Sequence, residues 1–231
     1  KGYKVGICEQ LEDPKNAKGI VKRGLIQIIS SGTVINDESL KSCENNYVGA
    51  VIDFHHAYAI SYADISTGDI YVSLVEHNSS KLVSEIISIG IKEVVVASNF
   101  DKAIYSILKN NFNLTISLLD KTDYLKQYDY IYSSIGDVRL VEVIKYLLTY
   151  INETQFRDLS HLMPAVVKEN KNFLKMDIHT KRNLELTETL RLKVREHSLI
   201  WLLDKTKTAM GSRTLKSIIE NPLIEKKEIE R

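Results

Sequence analysis

The side chains with the most chemical potential here are carboxylates. Asp53, Asp64, Asp69, Glu85 and Asp101 follow one another through the first half of the chain. Acids that a fold gathers can hold two divalent ions and cleave a phosphodiester. His55 and His56 are the next candidates for metal ligation. Neighbouring residues in a turn point in different directions, however, so a solvated corner is the favoured reading. Cys8 and Cys43 form no CxxC pair, and no Cys/His set has zinc spacing, so reduced thiols are expected. No GxxxxGK[ST] loop and no GxGxxG occurs, so no nucleotide cradle is expected within these residues. Lys205, Lys207 and Arg213 could contact phosphate, but isolated basic residues mostly solubilise a turn between helices. Trp201, set among leucines, reads as core.

Whether the acids can meet depends on the elements that carry them. Tyr3, Val5 and Ile7 alternate with polar or small residues and read as a strand, and Leu25 to Ile29 reads as a second. Two strands do not make a stable domain, so these are expected to be the remnant of an α+β domain. Val34 to Glu44 is a polar connection. From there Tyr47–Phe54, Ala57–Asp64 and Asp69–Val75 read as three strands with short links, hence an antiparallel meander. The period then becomes helical. Leu82, Val83, Ile86 and Ile87 share a face, with Ser79 or Ser80 placed to cap its start and Gly90 to close its end. Glu93–Ala97 is a buried strand, and Ile104, Ile107 and Leu108 line a helix capped by Asn99 or Asp101. Leu114–Leu118 is a fifth strand, and Leu140 to Ile151 a strong helix. Beyond Pro164 the pattern reads as all-helical. One helix starts at Asp177 or Thr180 and runs towards Arg191, and a second carries Leu199–Leu203. Gly211 breaks the pattern before a short helix that Asn221-Pro222 ends. These helices are expected to belong to a larger helical domain.

The order βββ-αβαβα, with right-handed crossovers after the meander, predicts an α/β domain. Its mixed five-stranded sheet with packed helices has a ribonuclease H-like topology. Nucleases of that topology place acids on the first strand, the first helix and the fourth strand. Asp53 and Glu85 suit the first two positions. The fourth strand ends Ala97-Ser98-Asn99, with Asp101 beyond it, and Asp64 and Asp69 flank a turn where Asp serves local hydrogen bonds. A scaffold without a metal site is therefore favoured over a metal-dependent nuclease.

Charge divides the chain in a way its net +1 conceals. Residues 1–32 hold six Lys/Arg against three Asp/Glu, or +3; residues 44–157 hold nine against fourteen, or −5; residues 158–231 hold fifteen against eleven, or +4. A polyanion is repelled by the middle and attracted to the flanks. No run of apolar residues is long enough for a membrane-spanning helix, and no secretory signal is read at the start.

Three segments resemble the MutS family. Gly2-Tyr-Lys-Val-Gly-Ile-Cys-Glu-Gln-Leu-Glu-Asp-Pro14 with Lys18-Gly-Ile-Val-Lys-Arg23 is similar to the end of the family's mismatch-binding domain. Ala63-Asp-Ile-Ser-Thr-Gly68 resembles its connector motif. Met176-Asp177, Thr180, Arg182-Asn-Leu-Glu-Leu186 and Trp201 to Arg213 resemble the beginning of its core, or lever, domain. The resemblance implies an internal fragment: residues 1–33 from the mismatch-binding domain, 34–43 a linker, 44–157 the connector, 158–231 the start of the helical core. It implies no catalytic, metal or cofactor residue in this stretch, with ATP and Mg bound in an ATPase domain elsewhere in the parent. It further implies mismatched duplex DNA, MutL and a second copy of the parent as partners, with no membrane, in the cytoplasm. Lys18, Lys22 and Arg23 become candidate contacts to the DNA backbone. A MutS relative devoted to recombination is the remaining alternative; such relatives usually lack the mismatch-binding domain that Tyr3–Ile7 and Glu9-Gln-Leu-Glu12 suggest. Where the family commonly has Thr-Pro-Gly-Thr, this chain has Ser30-Ser31-Gly32-Thr33. Losing Pro relaxes that turn, while Gly keeps the positive-φ option.

Overall fold

The computed structural model describes residues 4–10, 21–33, 46–155, 159–168, 173–174, 176 and 178–230. Strands β1 (Val5–Gln10) and β2 (Arg23–Ile29) form an antiparallel hairpin, with an irregular register between Ile7 and Cys8. A second sheet contains β3 (Tyr47–Asp53), β4 (Ala57–Asp64), β5 (Asp69–Glu76), β6 (Ile91–Val96), β7 (Thr115–Leu118) and β8 (Val166–Val167). Its order is β7-β6-β3-β4-β5-β8. The meander β3–β4–β5 is antiparallel, whereas β6, β7 and β8 pair in parallel with their neighbours.

Helices cover both faces, so the central strands are apolar on both sides, as buried sheets require. Every residue of β4 is buried. On one face, α1 (Ser79–Ile89) and α2 (Lys102–Asn110) contribute Leu82, Ile86, Ile104 and Leu108 to a cluster with Ile60 and Val94. On the other, α4 (Val138–Thr154) packs Val143, Ile144, Leu147 and Ile151 against Val48, Ala50 and Val95. The short turn Lys126–Tyr128 and α3 (Asp129–Tyr132) lead into α4, and Ile131 joins the same cluster. Leu159, Leu162 and Ala165 complete it.

Caps follow local chemistry. Asn78 Oδ1, rather than Ser79 or Ser80, accepts from the Lys81 amide at 3.1 Å to start α1. Gly90 ends it at φ 80°, a left-handed conformation that suits glycine. Asp101 caps α2, accepting from the Ala103 amide at 2.6 Å. Asp137 caps α4 through the Arg139 amide at 2.9 Å.

Four expectations are corrected. The sheet has six strands rather than five, because Val166 and Val167 pair with Tyr71 and Val72. A two-residue strand has no periodicity to read. For the same reason the segment after Pro164 is not wholly helical. The helix expected to run towards Arg191 stops early: α5 is Ile178–Asn183, and Glu185, Lys193 and His197 adopt φ of 49°, 52° and 68°. Positive φ at such residues is incompatible with a continuing right-handed helix. Helix α6 (Leu199–Leu203) follows. Gly211 does not interrupt the next helix, α7 (Ala209–Glu220), but sits in its first turn, donating its amide to the capping Thr208 Oγ1 at 3.1 Å. Helix α8 (Lys226–Ile229) is the last element.

Candidate functional site

Glu93 lies in mid-sheet, inside the run Ile91-Lys-Glu-Val-Val-Val96, and is fully buried. The β3–β6 register slips between Tyr47 and Val48. Ile91 therefore joins the α1–α2 side, while Glu93 faces α4. A buried carboxylate needs hydrogen-bond donors on both oxygens, and four reach it. Ser117 Oγ on β7 and Tyr150 OH on α4 donate to Oε1, the latter at 2.5 Å. Ser30 Oγ and the Gly32 amide, the latter at 3.2 Å, donate to Oε2. Lys4 Nζ stands 3.9 Å from Oε1 and 5.2 Å from the centre of the Tyr150 ring. Burial, and then the charge and hydrogen bond of Glu93, raise the Tyr150 pKa, so its phenol stays a donor.

The turn Ser30–Thr33 is itself tightly bonded. The Thr33 amide donates to Ser30 O at 3.2 Å, and the Ser30 amide donates to Thr33 Oγ1 at 2.8 Å. Gly32 is not at positive φ, as only Gly68 and Gly90 are among the described glycines, so the conformational role expected of it is corrected. It is needed for close approach: a Cβ there would lie 3.0 Å from both Glu93 Cβ and Val48 Cβ. Beside the turn, Ser31 Oγ and Thr115 Oγ1 are 2.8 Å apart. Gln27 Nε2 donates to Gln155 Oε1 at 2.9 Å, tying β2 to the end of α4. Sequence reasoning overlooked Glu93 by treating its strand only as an apolar run. A lone acid within a both-faces-buried strand was the available signal, because Glu is almost never fully buried without partners.

Three of the acids considered for metal chemistry do other work. Asp53 accepts from the His55 amide at 2.7 Å and lies 3.2 Å from His77 Nε2. Asp101 caps a helix. Asp64 is buried and accepts from the amides of Asn46 and Ser66 at 3.1 and 2.9 Å. It thereby builds the turn Ala63–Gly68, whose Ile65 carbonyl is 2.8 Å from His161 Nε2. No group of three or more His, Cys, Asp or Glu among the described residues could hold a metal ion.

Of the backbone-contact candidates, Lys18 lies outside the described residues. Lys22 and Arg23 are exposed at the start of β2, the opposite end from the Ser30–Thr33 turn. At about 3.3 Å per residue, Arg23 stands roughly 20 Å from Ile29. In the C-terminal part, Lys205 and Lys207 are exposed on the α6–α7 link, and Arg213 is half-buried. Trp201 is 47% exposed and not the core residue expected. Asp204 organises that link. It accepts from Thr206 N at 3.0 Å, Thr206 Oγ1 at 2.6 Å and Ser212 Oγ at 2.5 Å, and pairs with Arg195. Hydrogen bonds from Ser212 and Thr206, with Arg195 adding to them, hold its carboxyl well below the usual carboxylate range.

Three family models match successive parts of the chain: MutS domain I at residues 1–38, MutS domain II at 46–163 and MutS domain III at 179–231. The chain is 44% identical over 230 residues to the DNA mismatch repair protein MutS of Bacillus licheniformis, with 100% of this chain and 26% of that protein covered. Against the protein of the same name from Oceanobacillus iheyensis it is 43% identical over 230 residues, covering 99% of this chain and 26% of the relative. For that of Bacillus mycoides the figures are 42% over 231 residues, 100% and 26%. The chain thus spans about a quarter of the length of these curated relatives. The nuclease reading is not favoured by these matches. Nor is the recombination-type reading, which expects the part matched at residues 1–38 to be missing.

Proposed function

The chain belongs to the MutS family of DNA mismatch repair proteins, and from that membership we propose that it is a non-catalytic connecting part of a mismatch-recognition protein. One observation carries this reading. The hairpin in the part matching domain I is hydrogen-bonded, through Ser30 and Gly32, to a carboxylate in the central sheet of the part matching domain II. While these bonds hold, a displacement of the hairpin is passed to the sheet and to α4. The strand order β5-β4-β3-β6-β7, with its meander and parallel crossovers, supports a ribonuclease H-like topology used here as a scaffold.

In this reading the parent protein clamps mismatched double-stranded DNA in the cytoplasm. Its ATP and Mg sites and its dimer contacts lie outside these residues. The −5 balance of residues 44–157 suits a protein-docking surface for MutL better than a DNA groove. No helix among the described residues is long and apolar enough to cross a membrane.

Two measurements test the proposal. The 231-residue chain should bind heteroduplex DNA weakly and with a shallow salt dependence, and should retain MutL on an affinity surface. Tight, steeply salt-dependent binding of mismatched duplex by the chain alone would contradict it, as would failure to retain MutL. In the complete protein, K18E, K22E and R23E should each lower duplex affinity and reduce the salt slope by about 0.9 for each phosphate no longer neutralised. An unchanged slope removes that residue from the DNA-facing set.

A further inference from the structure

The hairpin and its following turn are held to the sheet and α4 by polar groups. Among residues 4–33, the described residues that are buried are Ser30, Gly32 and Thr33. None of the hairpin's described apolar side chains belongs to either core cluster, and Val5 and Leu25 are 55% and 41% exposed. Among the described residues, the seam holds Ser30 and Gly32 on Glu93, Ser31 on Thr115, Gln27 and the Ile28 carbonyl on Gln155, and Lys4 over Tyr150. An apolar seam resists parting because water must cover hydrocarbon. A polar one exchanges protein partners for water at small net cost.

Glu93 divides its hydrogen bonds between the two sides, while Lys4, just before β1, also stands 3.9 Å from Oε1. Oε1 is bonded by Ser117 and Tyr150, from the sheet and α4, whereas Oε2 is bonded by Ser30 and Gly32, from the turn. If the turn withdraws, Oε1 keeps its donors and Oε2 is opened to water. The turn keeps its shape as well, because the Ser30–Thr33 bonds are internal to it.

We propose that Glu93 is a releasable latch, from which the Ser30–Thr33 turn detaches as a unit and frees the β1–β2 hairpin to change its angle to the sheet. Both positions satisfy the buried polar groups, which is what a two-state element requires. This inference rests on the geometry of the junction and not on the DNA reading, so its test is structural.

Native-state hydrogen exchange on the whole chain reads each side of the latch separately. The variants are E93Q, which replaces one acceptor oxygen by a donor, and G32A, which wedges a methyl against Glu93 and Val48 without touching Oε1. In both, the backbone amide at position 32 should exchange at least about tenfold faster, reflecting a larger open population. The β1–β2 ladder should keep its rates in both, and the amides of β3, β6 and α4 should keep theirs in G32A and accelerate less than the residue-32 amide in E93Q. A second readout places one label on Cys8, exposed on β1, and another on α2 in a C43S/K109C background. Adding G32A should give a second distance population. Equal acceleration across β3, β6 and α4 would make Glu93 a residue of global stability and overturn the latch. So would melting of the β1–β2 ladder together with position 32, or an unchanged position-32 amide with a single distance population.

Discussion

Replacing Tyr150 by Phe isolates one bond of the Glu93 network. The ring is buried, at 4% exposure, and Phe keeps its volume, so no cavity forms. Lys4 stays over the ring face. What disappears is the hydroxyl that donates to Glu93 Oε1 at 2.5 Å and lies 3.1 Å from Ser117 Oγ. A hydrogen bond to a carboxylate contributes roughly 1.5–3 kcal/mol, so Y150F should destabilise the chain by about 2 kcal/mol. In a chain of this size that lowers Tm by roughly 4–8 °C at about 2–4 °C per kcal/mol. Thermal unfolding followed by far-UV circular dichroism measures it. The cycle with E93Q should show a coupling of about 1 kcal/mol or more, since the two groups touch. A Y150F change within about 0.5 kcal/mol of zero, the range of ordinary surface substitutions, would refute the idea that this bond holds the carboxylate.

Two further outcomes follow from the turns. G68A should lower stability by about 3 kcal/mol or more, since positive φ strains any other residue; Gly68 is at φ +84°, and its new Cβ would meet the His161 carbonyl oxygen at 2.3 Å. Its Tm should fall well below that of wild type, whereas G136A, with open space around the added Cβ, should not. Asp204 predicts a pH dependence. Its folded carboxyl lies below the ordinary value, so its contribution is fully present above about pH 4 and is lost as pH falls from there through the folded value. Trp201, the one tryptophan in the sequence and close to this turn, should report an acid transition below that pH by fluorescence. D204N should remove the pH dependence; an identical acid titration in D204N would show that Asp204 does not govern the link.

Much of the scaffold is legible in local pattern. Alternation and short links mark β3, β4 and β5, and a shift to helical spacing marks α1, α2 and α4. The motif Ala63–Gly68 is recognisable from its Asp, Ser and Gly, whose roles in the turn are local: Asp64 binds Ser66 two residues on, and Gly68 supplies positive φ. Some expectations failed to a neighbouring residue, as at the Asn78 and Thr208 caps, and others because the deciding interaction was distant. Strand β8 exists because Val166 and Val167 meet β5.

From the sequence alone come the α/β order, the absence of a phosphate loop, the acidic middle between basic flanks, and the motifs that resemble the MutS family. Each is a property of neighbouring residues or of residue counts, so it can be read without knowing which distant residues touch. Tertiary structure alone decided that Asp53 is set against His77, and that Glu93 is the point where the hairpin meets the sheet. Ser30 and Glu93 are 63 positions apart, and no period or spacing links them. Only folding brings four donors to one buried carboxylate, where leaving it unpartnered would be costly.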